Sequence, residues 1–346
     1  MADKILWIRT GGTIDMIYDK ESASYVPASK DLINKVLDRI SLSDVYLDIR
    51  SDVVDFIDSS EMIPDVWIRL SVFIADNIER YDGVLITHGT DTMHYTASAL
   101  SFMLMNLDKP VVLTGAMIPI LEEGSDGVKN FLDSITFLTR ASIPGVFLVF
   151  DGKVIRGVRA RKVSSGDFGA FYSINSEYVG FVENGAIRLN LKGKPFITGS
   201  GQSRVYADTK LNNKAALVKL FPGFDPKLLE SLVVSGVKGI VLEAFGSGGA
   251  RVTDPLSIVE SIRRLKEKGI PVFITSQCCL KGIVRFGPKP YYVAKRLMEA
   301  GAISLHDMLS EVAIVKLMWV LGHTESYNEI VELMLKNMVG EIDTDS

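Results

Sequence analysis

Hydroxyl side chains gather beside glycines where three apolar runs of this chain stop. The run that opens the chain ends in WIRTGGTID, Trp7–Asp15, which sets Thr10 and Thr13 on either side of Gly11-Gly12. A second run ends in THGTDT, Thr87–Thr92, a third in TGAMIP, Thr114–Pro119, and between the first two lies DSSEM, Asp58–Met62. Adjacent glycines allow a tight turn whose N–H groups face a ligand. A phosphate loop would need G-x-x-x-x-G-K-[ST] or G-x-G-x-x-G, and neither spacing is present. The remaining chemical use is a hydroxyl nucleophile, which requires an activating partner.

THGTDT places a hydroxyl, Thr90, next to a carboxylate, Asp91, where strand gives way to helix. Asp91 or Thr92 could equally serve that helix as an N-cap. His88 is a candidate general base, but a histidine at the end of a buried strand is more often a satisfied interior residue. In DSSEM, Asp58, Ser59 and Ser60 read either as ligand-holding groups or as a second cap. The basic stretch RGVRARK, Arg156–Lys162, reads as solvated surface, unless one lysine is buried against a carboxylate and so able to exchange a proton. The four histidines, His88, His94, His306 and His323, have no metal-ligand spacing, and no G-x-S-x-G motif is present. Threonine and serine loops with one aspartate and one basic segment point to a hydroxyl activated by something other than histidine. Amide hydrolysis is a natural use of such a set.

The elements that must position these loops alternate. Continuous apolar, β-rich runs occur at 5–8, 83–87, 110–113, 145–150, 216–220, 239–242 and 272–275. Amphipathic helical patterns lie at 30–39, 65–80, 92–106, 128–141, 255–268 and 326–337. Strands apolar on both faces, alternating with helices, predict a parallel sheet covered on both sides, the α/β class. In such sheets ligands bind at the carboxyl ends of the strands, where the four loops fall. The 346 residues, 47% hydrophobic, are enough for two domains. The polar stretch FITGSGQSRVYADTKLNN predicts a linker at 196–212 between a larger N-terminal domain, 1–195, and a smaller C-terminal one, 213–346.

Thirty-eight basic and 42 acidic residues give a net charge of −4 with no basic stripe, so nucleic acid is a poor partner. No apolar run is long enough for a membrane span, and the opening residues lack the pattern of a secretory signal. The only two cysteines, Cys278 and Cys279, are adjacent, which suits a reducing compartment. A cytoplasmic protein is the expectation.

TGGTI together with HGTDTMHYTASALSFML, His88–Leu104, resembles the two signature segments of the L-asparaginase family. SYVP (Ser24–Pro27), DSSEM, TGAMIP, SDG (Ser125–Gly127), RARK and SQC (Ser276–Cys278) agree in order, so the resemblance runs over nearly the whole chain. It is closest to the cytosolic type I members. It implies a flavodoxin-like, mostly parallel sheet in the N-terminal domain, a smaller α/β C-terminal domain, no cofactor, and hydrolysis of L-asparagine to aspartate and ammonia. By the same resemblance Thr13 is the nucleophile, and Tyr25 is a lid tyrosine that hydrogen-bonds it. Thr90, Asp91 and Lys162 form a proton-moving set. Asp91 and Ser59, flanked by Asp58 and Ser60, hold the substrate's α-amino and α-carboxylate groups. A homodimer or homotetramer is implied too. Two positions depart from the pattern: Asp15 stands where a small residue is usual, and Gly249, in GSGGA, where an asparagine is common. Two alternatives share this core: the amidase subunit of a tRNA-dependent amidotransferase and an inactive, binding homologue. The amidotransferase subunit usually carries a domain ahead of its TGGT segment, whereas here the motif begins at Thr10. The segment 15–29, charged and small without periodicity, is expected to be the mobile lid. Asp91 and Lys162 are expected to form a buried pair, with Arg159 and Arg161 as surface arginines.

Overall fold

The computed structural model describes residues 2–27, 42, 44–141, 143–190, 203–278, 280–284 and 291–343. Two compact units divide at Thr209–Lys210. The helix expected at 30–39 and residues 196–202 of the linker expected at 196–212 lie outside the described residues.

In chain order the N-terminal unit contains β1 (Asp3–Arg9), β2 (Met16–Asp19), β3 (Ser24–Pro27), β4 (Val45–Arg50), α1 (Pro64–Asn77), β5 (Gly83–Thr87), α2 (Met93–Met103), β6 (Leu104–Met105), β7 (Pro110–Thr114), α3 (Gly127–Arg140), β8 (Gly145–Phe150), β9 (Lys153–Arg156), β10 (Ala160–Lys162), β11 (Phe171–Ser173), β12 (Gly180–Glu183), β13 (Ala186–Leu189) and β14 (Tyr206–Ala207). Its main sheet runs β4-β1-β5-β7-β8-β9-β12-β13. The first five strands are parallel and the last three are added antiparallel.

Alternation along the strands explains the layers. Leu6, Ile8, Val84, Ile86, Val111 and Leu113 share one core with Val66, Leu70 and Ile74 of α1 and Met93, Ala97 and Leu100 of α2. Ile5, Trp7, Leu85, Val112, Phe147 and Val149 share the other with Phe131, Ile135 and Leu138 of α3. Both faces are covered, so each central strand reads as a continuous apolar run. The result is the expected mostly parallel, three-layer sheet. It sets the carboxyl ends of β1, β5 and β7 at one edge.

The C-terminal unit holds β15 (Ala215–Lys219), α4 (Lys227–Val234), β16 (Gly239–Ala244), α5 (Val259–Glu267), β17 (Val272–Ser276), α6 (Tyr292–Ala300), β18 (Ala302–Ser304), α7 (Ser310–Leu321) and α8 (Tyr327–Leu335). Its four strands pair in parallel and in sequence order. Within it, Lys316 and Glu341 form an ion pair with both side chains 0% exposed. The lysine also donates to the carbonyls of Met334 and Lys336, which fixes the C-terminal segment against α7. Among the described residues no helix is long and apolar enough to cross a membrane.

Candidate active site

The loops at the sheet edge are joined through backbone. Thr10 N–H and its hydroxyl both donate to the Thr87 carbonyl at 3.0 Å, and Ile57 N–H donates to the Thr10 carbonyl at 3.1 Å. His88 N–H donates to the Thr114 carbonyl at 2.9 Å. Glycines bring the loops into contact. Gly12, at φ 81°, lies so close to Gly89 that a Cβ on it would fall 2.2 Å from the Gly89 Cα, and a Cβ on Gly89 would fall 2.6 Å from Ser59 Oγ. A side chain at Gly12 would push TGGTI away from THGTDT, and one at Gly89 would press on the Ser59 side chain. The two glycine-bearing motifs are thus two halves of one contact, and Thr13 and Thr90 are each the next residue beyond it.

Thr10 and Thr13 therefore differ in role. The Thr10 hydroxyl is buried and engaged with β5. Thr13 opens a short 3-10 turn, Thr13–Asp15, and is half-buried. Thr90 is 7% exposed and its Oγ1 accepts a hydrogen bond from Lys162 Nζ at 2.8 Å. The same ammonium donates to Asp91 Oδ1 at 2.6 Å. Lys162 comes from β10, brought to this edge by the turn that follows β9. The pair is buried on one side only: the Lys162 side chain is 13% exposed and that of Asp91 63%. This corrects the expectation of a buried pair. Asp91 keeps an oxygen toward solvent, open to a cationic ligand. Asp91, His94, Tyr95, Lys162 and Ser164 line a cavity of about 400 Å³.

DSSEM divides between the two readings. Asp58 caps a 3-10 turn, Ser59–Glu61, accepting from Ser60 N–H at 2.9 Å and from the Ser60 hydroxyl at 2.8 Å. Both Asp58 and Ser60 are exposed. Ser59 is buried and accepts from Asp91 N–H at 3.2 Å, while its carbonyl accepts from the Thr92 hydroxyl at 2.7 Å. Thr92 does occupy the N-cap of α2, but its side chain does not cap the helix; it holds Ser59 instead.

His88 is wholly buried. Its Nδ1 meets the Gly89 carbonyl at 2.7 Å and its Nε2 the Thr96 hydroxyl at 2.9 Å. Burial pushes its pKa down to about 4. A neutral strut between loop and helix fits these contacts, and a general base does not. His94 is held lower still, at about 3, by burial and by the charges of Arg161 and Lys162.

Tyr25 is 49% exposed and lies on a β2–β3 hairpin, paired with Tyr18, whose ring it meets edge-on at 5.4 Å. The regular hairpin differs from the patternless loop expected at 15–29. Short strands and an Asp19 turn that accepts from the Ser22 N–H and hydroxyl supply its order. The Glu122 carboxylate beside the Tyr25 hydroxyl holds the phenol above its ordinary pKa.

Sequence reasoning missed several supports. Asp126 accepts from the N–H groups of Met117 and Ile118 and from Asn130 Nδ2, and Asn130 also donates to the Gly115 carbonyl, so SDG braces TGAMIP. The signal was SDG itself, visible only as a family match. Glu122 had no signal. Arg159, expected at the surface, is 4% exposed, because the 3-10 turn before β10 points it inward. Among the described residues no cluster of His, Cys, Asp or Glu could hold a metal.

A mostly parallel sheet covered on both faces, with Thr90, Lys162 and Asp91 hydrogen-bonded at its strand ends, defines an α/β protein. Comparison with known proteins gives the family. The family model described as Asparaginase, N-terminal, matches residues 4–194, and that of the Glutaminase/Asparaginase C-terminal domain matches 214–334. The chain belongs to the asparaginase family. It is 36% identical over 341 residues to an L-asparaginase of Thermococcus kodakarensis, covering 98% of this chain and 99% of that one. It is 37% identical over 346 residues to a glutamyl-tRNA(Gln) amidotransferase subunit of Pyrococcus horikoshii, covering 97% of this chain and 76% of that one. Among solved structures, the thermostable T. kodakarensis L-asparaginase superposes with a TM-score of 0.88 at 34% identity, over 99% of this chain and 100% of that one. L-asparaginase I of Vibrio cholerae superposes at 0.86 and 30%, with the same coverage.

Proposed function

We propose that this protein hydrolyses L-asparagine to L-aspartate and ammonia through an acyl-enzyme on Thr13. The observation that carries the reading is the Lys162 ammonium, bonded to both Thr90 and Asp91, beside the Gly12–Gly89 contact that puts Thr13 and Thr90 at one place. A small zwitterion needs an anion for its ammonium and donors for its carboxylate. The open oxygen of Asp91 meets the first need; Ser59 and loop N–H groups meet the second. Thr13 Oγ attacks the side-chain amide carbon, and loop N–H groups stabilise the developing oxyanion. The Lys162 ammonium gives one proton to the leaving nitrogen and is refilled from Thr90, which takes the Thr13 proton in turn, so Lys162 and Thr90 end as they began and ammonia departs. Water then attacks the ester, aspartate leaves, and the proton returns to Thr13. Tyr25 would reach the site by movement of its hairpin away from Glu122. The protein would act as a cytoplasmic homodimer or homotetramer, without a cofactor.

A second reading, the amidase subunit of a tRNA-dependent amidotransferase, has the 37% identity to the P. horikoshii protein in its favour. Ammonia release from L-asparagine and from L-glutamine by the purified protein, without tRNA, separates the two. Turnover of asparagine alone supports the first; silence toward both substrates defeats it and leaves the amidotransferase or a binding homologue. In the active protein Thr13→Ala should lower kcat by about 10³-fold or more with the fold kept. Near-normal turnover would reject Thr13 as nucleophile.

A further inference from the structure

The turn that carries Thr13 is fastened from below by two buried, opposite charges. Arg9, the last residue of β1, has a side chain 1% exposed, and that of Asp15, the last residue of the 3-10 turn, is 6% exposed. Arg9 Nε and Nη2 both donate to Asp15 Oδ1, at 3.0 and 2.7 Å. The other oxygen, Oδ2, takes the Thr87 hydroxyl at 3.4 Å, and Trp7 Nε1 donates to that same hydroxyl at 3.2 Å. Burial raises the Asp15 pKa, and the Arg9 charge and hydrogen bonds oppose that rise. The guanidinium lies 4.7 Å from the Phe56 ring, in the segment that pairs with TGGTI. One carboxylate therefore ties together residues 9, 15 and 87, and the loop it closes is Thr10–Ile14.

The position of that tie is informative. Before Thr13, the chain is fixed by backbone bonds to Thr87 and Ile57 and by the Gly12–Gly89 contact. After Asp15 it enters the β2–β3 hairpin, where Ile17, Tyr18 and Tyr25 are exposed. Asp15 is the point at which the chain is anchored between the nucleophile turn and the exposed hairpin. Burying two charges is costly. Packing alone would not call for an ionic pair there.

We propose that Arg9 and Asp15 are positioning residues that hold the Thr13 hydroxyl in its attacking geometry and isolate it from movement of the hairpin. The inference rests on Thr13 being the nucleophile. Loss of the clamp should affect the chemical step more than substrate binding, because Ser59 and Asp91 are anchored independently.

The test combines kinetics with covalent trapping. Asp15→Asn and Arg9→Lys each weaken the pair while keeping its volume. Arg9→Met/Asp15→Ala removes both charges, so no buried charge is left alone, and it keeps the test decisive if a single variant fails to fold. Asparagine turnover and the rate of labelling by a diazoketone analogue of asparagine are measured, with the label mapped by peptide mass spectrometry. Folded variants should lose about 10- to 100-fold in kcat, with KM within about twofold, because a small misplacement of a reacting group costs that much. Thr13 labelling should slow in proportion. Wild-type kcat and labelling rates in the folded double variant would overturn the proposal. A label on a residue other than Thr13 in the wild type would instead defeat the nucleophile reading itself.

Discussion

Acidification offers a quantitative test of the two histidines in HGTDTMH. Burial holds His88 at about 4 and His94 at about 3, against 6.5 for an unperturbed ring. Between those values the unfolded chain binds a proton that the folded chain refuses, so stability falls as pH drops below 6.5. Each ring contributes RT ln of the ratio of its two binding polynomials, which comes to about 2 kcal/mol lost between pH 7 and pH 5. The two together cost about 4 kcal/mol, a shift of about 1 M in the urea midpoint for an m-value near 3 kcal/mol/M. The groups facing His94 are Arg161, Lys162, His88 and Asp91, and only the aspartate favours its protonation. Two of the three tryptophans, Trp7 and Trp67, lie in the N-terminal unit, so a Trp319→Phe background reports that unit alone. Urea unfolding is followed at pH 7 and pH 5 in that background. Comparison with His94→Leu and His88→Gln removes the share due to carboxylates. Each variant should recover about 2 kcal/mol of the acid loss, half of the histidine share. Equal midpoint shifts in all three proteins, or a ring proton titrating near 6.5 by NMR, would refute the reasoning and return His88 to candidacy as a base.

Other perturbations probe the remaining parts. Lys162→Met removes both bonds of the proton chain and should lower kcat by about 10²-fold or more, whereas Arg161→Met stays within a few-fold; similar kinetics for the two variants would dismiss the relay. Arg159→Met, at a buried site, should cost about 1–3 kcal/mol of stability, visible as a lowered Tm. Trypsin should cut at Lys20, exposed in the hairpin, and cut more slowly with aspartate bound; equal rates would argue against closure. Glu341→Gln strands the Lys316 ammonium, whose pKa burial already lowers, and should destabilise the C-terminal unit by about 3 kcal/mol or more, read from Trp319 on the same helix.

What the sequence made legible follows from how each element is buried. The central strands β5, β7 and β8 are covered on both faces and announced themselves as apolar runs. β4, VYLDIR, pairs with β1 on one side only and is half-buried, so its mixed pattern carried no such signal. Helix α3 buries one stripe and was read to within a residue of its ends. Helix α7 was missed because eleven of its twelve residues are buried, leaving no polar face to mark a period. In the site, TGGTI and THGTDT were visible through their glycines, but the contact between Gly12 and Gly89 joins residues far apart in the chain and has no local signature. The same holds for Lys162 with Thr90 and for Tyr25 with Glu122.

The loops separate polar groups that hold the fold from those left for chemistry. Thr10, Thr87 and Thr114 are buried hydroxyls engaged with neighbouring strands, and His88, Asp126 and Asn130 bridge loops to helices. All of them sit among the candidate motifs and share the residue types expected of a site, so composition cannot sort them from functional groups. Incomplete burial does. Thr13 is half-buried, and Asp91, although it is joined to a lysine that is nearly covered, is 63% exposed. The bond to the Lys162 ammonium at 2.6 Å adds little to the fold, because a pair with one partner this exposed is worth about 0–1 kcal/mol. It does leave a carboxylate open to solvent beside the Thr90 hydroxyl.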